Sequence, residues 1–234
     1  KEYYASRQPY GEWLDSNLVT LAQLKIPNQS VPTYTDEERK RLMKAFGYTY
    51  EEYRTSILNM ATNASEGISA MGIDTPLPVL DKKHQPLFNY FKQLFAQVTN
   101  PPIDAIREKV VTAPRVFAGE EGNLLEEKPE NCHVLQINNP ILTNTDLMKI
   151  RNIKEESHIK VMTLSLVYYK NTSLEKSIDR LFVEVDRAHR DGVNIIILSD
   201  RGVDEYHVAI PSLLAVSAVH HHLVDTRKRT SLSV

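Results

Sequence analysis

Leu174, Ile178, Leu181, Phe182 and Val185, with His189 behind them, recur at three- and four-residue spacing and predict one face of a long helix. Asp191-Gly192 closes that helix, and Val193 to Leu198 follows as an unbroken apolar run containing Ile195, Ile196 and Ile197. Such a run reads as a strand covered on both faces. Upstream, Ile159 to Tyr168 reads as another strand; downstream, Pro211 to Leu223 reads as a helix, and Thr230 to Val234 alternates like the start of a third strand. Strand, helix, strand, helix, strand is the order that favours crossover connections and a parallel sheet.

The first two thirds carry a helical pattern broken by turn residues. Thr35 precedes Asp36, Glu37 and Glu38, a capping box that predicts a helix over 36–46 ended by Gly47. Thr49 with Glu52 repeats the device for a helix running to about Thr62, so the two form a hairpin. Gly67, Gly72, Pro76 and Pro78 make 64–84 a loop, after which Pro86 starts a helix whose Leu87, Phe88, Phe91, Leu94 and Phe95 predict a core-facing stripe. Asn100-Pro101-Pro102 breaks the chain, Asp104 to Val111 can be helical, and 113–140 is irregular apart from a short strand near His133 to Ile137. Asn144 or Thr145 caps a last short helix through Ile150. The expected organisation is a lead-in over 1–30, a helical and irregular part over 31–150, and a βαβαβ part over 151–234 cut within its last strand.

Composition narrows the function classes. The 234 residues, 41% hydrophobic and 25% charged, suffice for a real core without covalent staples. A net charge of -2 from 28 basic and 30 acidic residues gives no electrostatic reason to bind nucleic acid. The single Cys132 excludes an intrachain disulfide or a cysteine-only cluster within the chain and fits a reducing compartment, so the expected setting is the cytoplasm. No apolar run approaches a membrane span, and no membrane partner is expected. Both ends read as cut from something longer.

Candidate chemistry is sparse. Ligands of parallel α/β sheets sit beyond the carboxyl ends of strands, which singles out Ser199-Asp200-Arg201-Gly202. Asp200 and Arg201 are adjacent, so the plain reading is a loop salt bridge or a cap on the Pro211 helix; a ligand or interdomain role is the alternative. His220, His221 and His222 point about 100° apart on a helix and lack the one-face spacing that metal ligands need, so no metal is expected. Gly67 to Gly72 lacks the ending and the preceding strand of a phosphate loop. Tyr3, Tyr4, Tyr10 and Trp13 have no interleaved basic residues and read as packing, not as an RNA-stacking surface.

Several longer strings go further. Ser6-Arg7-Gln8-Pro9-Tyr10-Gly11-Glu12-Trp13, Met71-Gly72 with Asp74-Thr75-Pro76, Gln97 to Asp104, Gly122-Asn123-Leu124-Leu125, Ile197 to Val203 and Ile210 to Val216 together resemble the central domain of the glutamate synthase large subunit. The resemblance implies an α/β, parallel-sheet fold, a rudimentary TIM-barrel-like domain with a helical N-terminal part. It implies a noncatalytic connector between a glutamine amidotransferase domain and an FMN-binding synthase domain. Met71, Thr99, Asn100 and Pro101 would help line an ammonia tunnel, and Asp200 and Arg201 would be interdomain candidates. No catalytic, cofactor-binding or metal residue is expected here: the FMN and the 3Fe-4S cluster would belong to the rest of the parent oxidoreductase. Its electrons would come from a small NADPH-oxidising subunit or from ferredoxin. The competing reading is a free-standing α/β enzyme or flavin-binding module that uses the Asp200-Arg201 loop.

Overall fold

The computed structural model describes residues 2–68, 76–91, 102–153 and 158–234. The chain forms two compact units, one from Lys1–Val31 with Val110–Val234 and the other from Pro32–Lys109. The first opens with α1 (Glu2–Ala5), α2 (Tyr10–Asn17) and the two-residue strand β1 (Val19–Thr20).

In the second unit the capping boxes form as the sequence predicts. Thr35 Oγ1 accepts from the Glu38 N–H while the Glu38 carboxylate accepts from the Thr35 N–H, and α3 runs over Asp36–Ala45. Glu52 and Thr49 make the same reciprocal pair. The helix that follows is not uniform: Glu52–Ile57 is a π-turn, and only then does α4 (Leu58–Asn63) begin. The Thr55 hydroxyl bonds the Glu51 carbonyl at 2.6 Å, and the Leu58 N–H donates five residues back to Tyr53. The amphipathic helix expected from Pro86 is instead a 3-10 turn, Leu87–Phe91, with Phe88 and Phe91 51% and 70% exposed. Three residues per turn eclipses positions 88 and 91, so the stripe that a 3.6-residue period would turn inward points outward together. Leu94 and Phe95 lie outside the described residues.

After the short α5 (Glu108–Val111) the first unit resumes with β2 (Val116–Gly119), β3 (Val134–Ile137) and α6 (Asn144–Arg151). β3 lies between β1, parallel to it, and β2, antiparallel. Thr143, one residue ahead of the expected cap, holds the N–H of Asp146 and so starts α6. Next come β4 (Val161–Ser165), β5 (Val167–Tyr169), α7 (Leu174–Arg190), β6 (Ile195–Ser199), β7 (His207–Ala209) and α8 (Ser212–Asp225). β4 and β6 are parallel, and Ser233 adds a parallel bridge to Ile195 on the other side of β6. The result is a mixed α/β fold with small sheets, its parallel part built in the strand-helix order read from the sequence.

The expected strand over Ile159 to Tyr168 divides at Leu166. Its N–H donates to Ser199 O while its carbonyl accepts from Ile210 N, so hydrogen bonding passes at this buried residue from β6 to the antiparallel pair β5–β7. α7 ends as Asp191-Gly192 predicts. Gly192 has φ +73°, its N–H bonds His189 O, and the Val193 N–H bonds Ala188 O, while Ala188 and Val193 are both buried.

β6 serves two cores. Ile196 joins Leu164, Leu166, Leu181, Val185, Val219 and Leu223 on one face, and Ile195 joins Leu135, Ile150 and Ile159 on the other. α7 and α8 are further tied by Asp186, whose Oδ1 accepts from His222 Nε2 at 3.0 Å and Lys228 Nζ at 2.6 Å, with the His222 ring stacked on Phe182. Partial burial alone would raise the Asp186 pKa, but the bonds and charges of Lys228 and His222 outweigh it and hold it below the ordinary value. A carboxylate depressed in the folded state stabilises fully above its unfolded pKa, about 3.9, and that contribution is lost as pH falls through the native value. Asp186→Asn should therefore lower stability at pH 7 by about 1 kcal/mol and flatten the acid limb of the stability curve below pH ~4, read by urea denaturation across pH. An unchanged acid limb would assign the acid sensitivity elsewhere.

Candidate functional site

The loop at the carboxyl ends of β4 and β6 is shaped by bonds to its own backbone. Asp204 is its anchor: the carboxylate accepts from the N–H of Tyr206 at 2.7 Å, the N–H of His207 at 2.8 Å and the His207 ring at 2.8 Å. The Tyr206 N–H first, then the His207 ring, keep its carboxyl below the usual range. This anchor was missed in the sequence, although an aspartate two and three residues ahead of the donors it binds is the signal of an Asx turn.

Arg201 makes neither of the contacts that adjacency suggests. Its guanidinium donates to Asn144 Oδ1 at 2.7 Å, tying the loop to the first residue of α6. Asp200 forms no ion pair among the described residues, and α8 starts at Pro211 without a side-chain cap. Both residues lie beyond the end of β6, in the turn that leads to Asp204, and from there the Arg201 side chain meets α6 and not its own neighbour. Arg180 on α7 donates to the carbonyls of Ser165 and Val167 at 3.1 and 3.3 Å, and Lys170 Nζ bonds the Glu205 carbonyl at 3.2 Å. These cations thus have partners within the protein, and the arrangement clamps elements together; the one carboxylate-imidazole pair of the loop, Asp204 with His207, has its carboxylate held by the loop's own N–H groups.

Besides a shallow groove of about 580 Å³ that Leu124 and Leu125 line together with Thr230 and Ser231, two concavities lie elsewhere. One of about 200 Å³, in the first unit, is lined by Glu120, Glu130, Asn131, His133, His158 and Asn194. His133 and His158 stack with centroids 5.0 Å apart, and His133 Nε2 bonds Asn17 Oδ1 at 2.6 Å. The other, about 590 Å³, lies in the second unit against α3 and the following turn, with Lys40, Lys44, Tyr48 and Tyr53 among its walls. Neither was singled out in the sequence, because the stacked histidines are far apart along the chain. Among the described residues no three histidine, cysteine or acidic side chains are placed to share a metal ion. The three histidines of α8 are engaged separately: His222 with Asp186, His220 with the Arg229 Nε–H, and His221 edge-on to His220. Cys132 sits half-buried in a 3-10 turn, and burial raises its pKa, which disfavours the reactive thiolate. Among the described residues no helix is long and apolar enough to cross a membrane. Met71, Thr99, Asn100 and Pro101 lie outside the described residues.

The profile described as "Glutamate synthase central domain" matches residues 41–234. This chain belongs to that family. Along its whole length it is 37% identical to the "Glutamate synthase [NADPH] large chain" of Bacillus subtilis and 38% identical to the "Ferredoxin-dependent glutamate synthase, chloroplastic" of Oryza sativa subsp. japonica. It is 34% identical to the "Glutamate synthase [NADH]" of Schizosaccharomyces pombe. This glutamate synthase central domain spans 15% of the first two relatives and 12% of the third. Ser6 to Trp13, at the start of α2, lies ahead of the family match but within the similarity to the relatives.

Proposed function

We propose that this chain is the connecting segment of a glutamate synthase, joining the part that hydrolyses glutamine to the part that reduces 2-iminoglutarate to glutamate, and helping to line the ammonia route between them. One observation carries the reading. The same segment is 37%, 38% and 34% identical to enzymes named for NADPH, ferredoxin and NADH, so what it preserves is indifferent to the electron donor. The transfer of nitrogen between two sites is a step that such enzymes share whatever reduces them. The clamped loop at Asp204 and Arg201 supports a scaffold role over that of a free-standing catalyst or flavin binder.

The parent's cofactors do not fit the residues at hand. A 3Fe-4S cluster needs several thiolates and the chain has one cysteine. The N–H groups of the Asp204 loop that would cradle a flavin phosphate are spent on Asp204 itself. On this reading FMN and the cluster belong to the rest of the polypeptide, and so do the contacts with a small NADPH-oxidising subunit or ferredoxin. The parallel pairing of β4 with β6 and the parallel Ser233 bridge beside them support the proposed barrel-like kinship of the fold.

The test supplies full-length enzyme with unlabelled glutamine and ¹⁵N-ammonium in the medium. With glutamine saturating and the ammonium kept too dilute to sustain ammonia-dependent synthesis, wild-type glutamate should carry almost only glutamine nitrogen, whereas Asn100→Ala should admit more medium nitrogen to the product, read by mass spectrometry. If Asn100→Ala and Thr99→Ala both gave product as unlabelled as the wild type, this stretch would not line the route.

A further inference from the structure

Glu120 to Glu127 folds as a turn whose purpose is not explained within the first unit. Asn131 fastens it from outside, its amide donating to the carbonyls of Asn123 at 3.2 Å and Glu126 at 2.7 Å. Asn123 fastens it from inside, its side chain accepting from the Leu125 N–H at 3.1 Å and its carbonyl from the Glu126 N–H at 3.0 Å. Gly122 has φ +64°, and a Cβ there would stand 2.7 Å from Asn131 Oδ1, so the turn closes this tightly only with glycine. At the tip of this rigid turn Leu124 and Leu125 are 72% and 94% exposed. A single exposed leucine needs no explanation, but two in succession, held out by a fixed backbone, present a preorganised apolar knob.

The carboxylates that follow the tip are paired, whereas Glu120 and Glu121 ahead of it form no ion pair among the described residues. Glu127 pairs with Arg7 at 3.1 Å and accepts from the Tyr10 hydroxyl at 2.7 Å, and Glu126 pairs with Lys128. What the tip offers outward is hydrocarbon, which suits an apolar recess. The occupant is at hand, since relatives aligned along this entire chain are mostly other sequence: the chain is 15% of them. We infer that Leu124 and Leu125 insert into an apolar recess on the remainder of the same glutamate synthase polypeptide, fixing this domain against its neighbour. The inference rests on the connecting role proposed above and names one surface that performs it.

Leu125→Cys in the full-length enzyme, labelled with a maleimide and read by the mass of the peptide containing position 125, tests it. Labelling should be slower than in urea by about 100-fold or more. Leu124→Cys gives the same reading should the first variant lose ammonia-dependent activity. Native labelling as fast as in urea at both positions would overturn the inference. Slow labelling that speeds up on dilution would overturn it too, in favour of a second copy of the chain. The connecting role fails separately: if label exchange at Thr99 and Asn100 behaves as proposed while the thiols react freely, only the docking knob is lost.

Discussion

Met71→Trp in full-length glutamate synthase is expected to cut glutamine-dependent glutamate formation by about 100-fold, some 2.7 kcal/mol of barrier, while glutaminase turnover and ammonia-dependent synthesis stay near wild type. The argument is one of size and stiffness. Methionine is unbranched and adapts its shape, so a wall made of it admits a molecule as small as neutral ammonia. An indole is bulkier, rigid and without that freedom, and would occlude the passage without touching the chemistry at either end. On the proposed route, ammonia supplied from the medium would enter at the synthase site and bypass the obstruction. Steady-state rates with each nitrogen donor, measured on the same preparation, decide the matter. A parallel fall with both donors would mean that position 71 matters for folding or for the synthase site, and the tunnel assignment would be withdrawn.

The second large effect concerns β6. Ile195→Ala and Ile196→Ala should each destabilise the first unit by about 3 kcal/mol, the usual cost of truncating a buried isoleucine. Side chains 6% and 2% exposed leave little room for the cavity to be hydrated. Although adjacent in sequence, the two face opposite sides of the sheet and fill different clusters. Amide exchange should therefore separate them, with Ile196→Ala deprotecting α7 and α8 and Ile195→Ala deprotecting β3 and α6. The double variant should be additive within about 0.5 kcal/mol. Identical exchange patterns would show that the two clusters open as one.

The legible parts of the fold were those decided by near neighbours. Both capping boxes, the α7 stripe and the Asp191-Gly192 stop are local devices, and each appears where its residues stand. What could not be read depends on distant partners. The apolar run through Leu166 is continuous, and only Ile210, supplied by a later segment, shows why the strand must divide there. The Pro86 segment has a helix-compatible pattern, yet pattern alone does not choose between 3.6 and 3 residues per turn. At the candidate site the adjacency of Asp200 and Arg201 suggested an ion pair, whereas the arginine answers to Asn144, whose position follows from the whole βα layer. Met71, Thr99, Asn100 and Pro101 are proposed through family resemblance alone, since neutral ammonia demands no charge or spacing that a pattern search would detect.

The Ser233 hydroxyl accepts from the N–H of Gly119 and donates to its carbonyl, and the backbone beside it completes the open side of β6. A sheet finished by residues so far along the chain cannot close while the polypeptide is still emerging from the ribosome. Non-local pairings of this kind slow folding. β1 waits for β3 until translation has passed position 137, and β6 stays open on one side until it has passed position 233. In the cell that delay leaves the edge of β6 unpaired until its last neighbour has been synthesised, dependent on whatever shields an unfinished strand edge in the meantime.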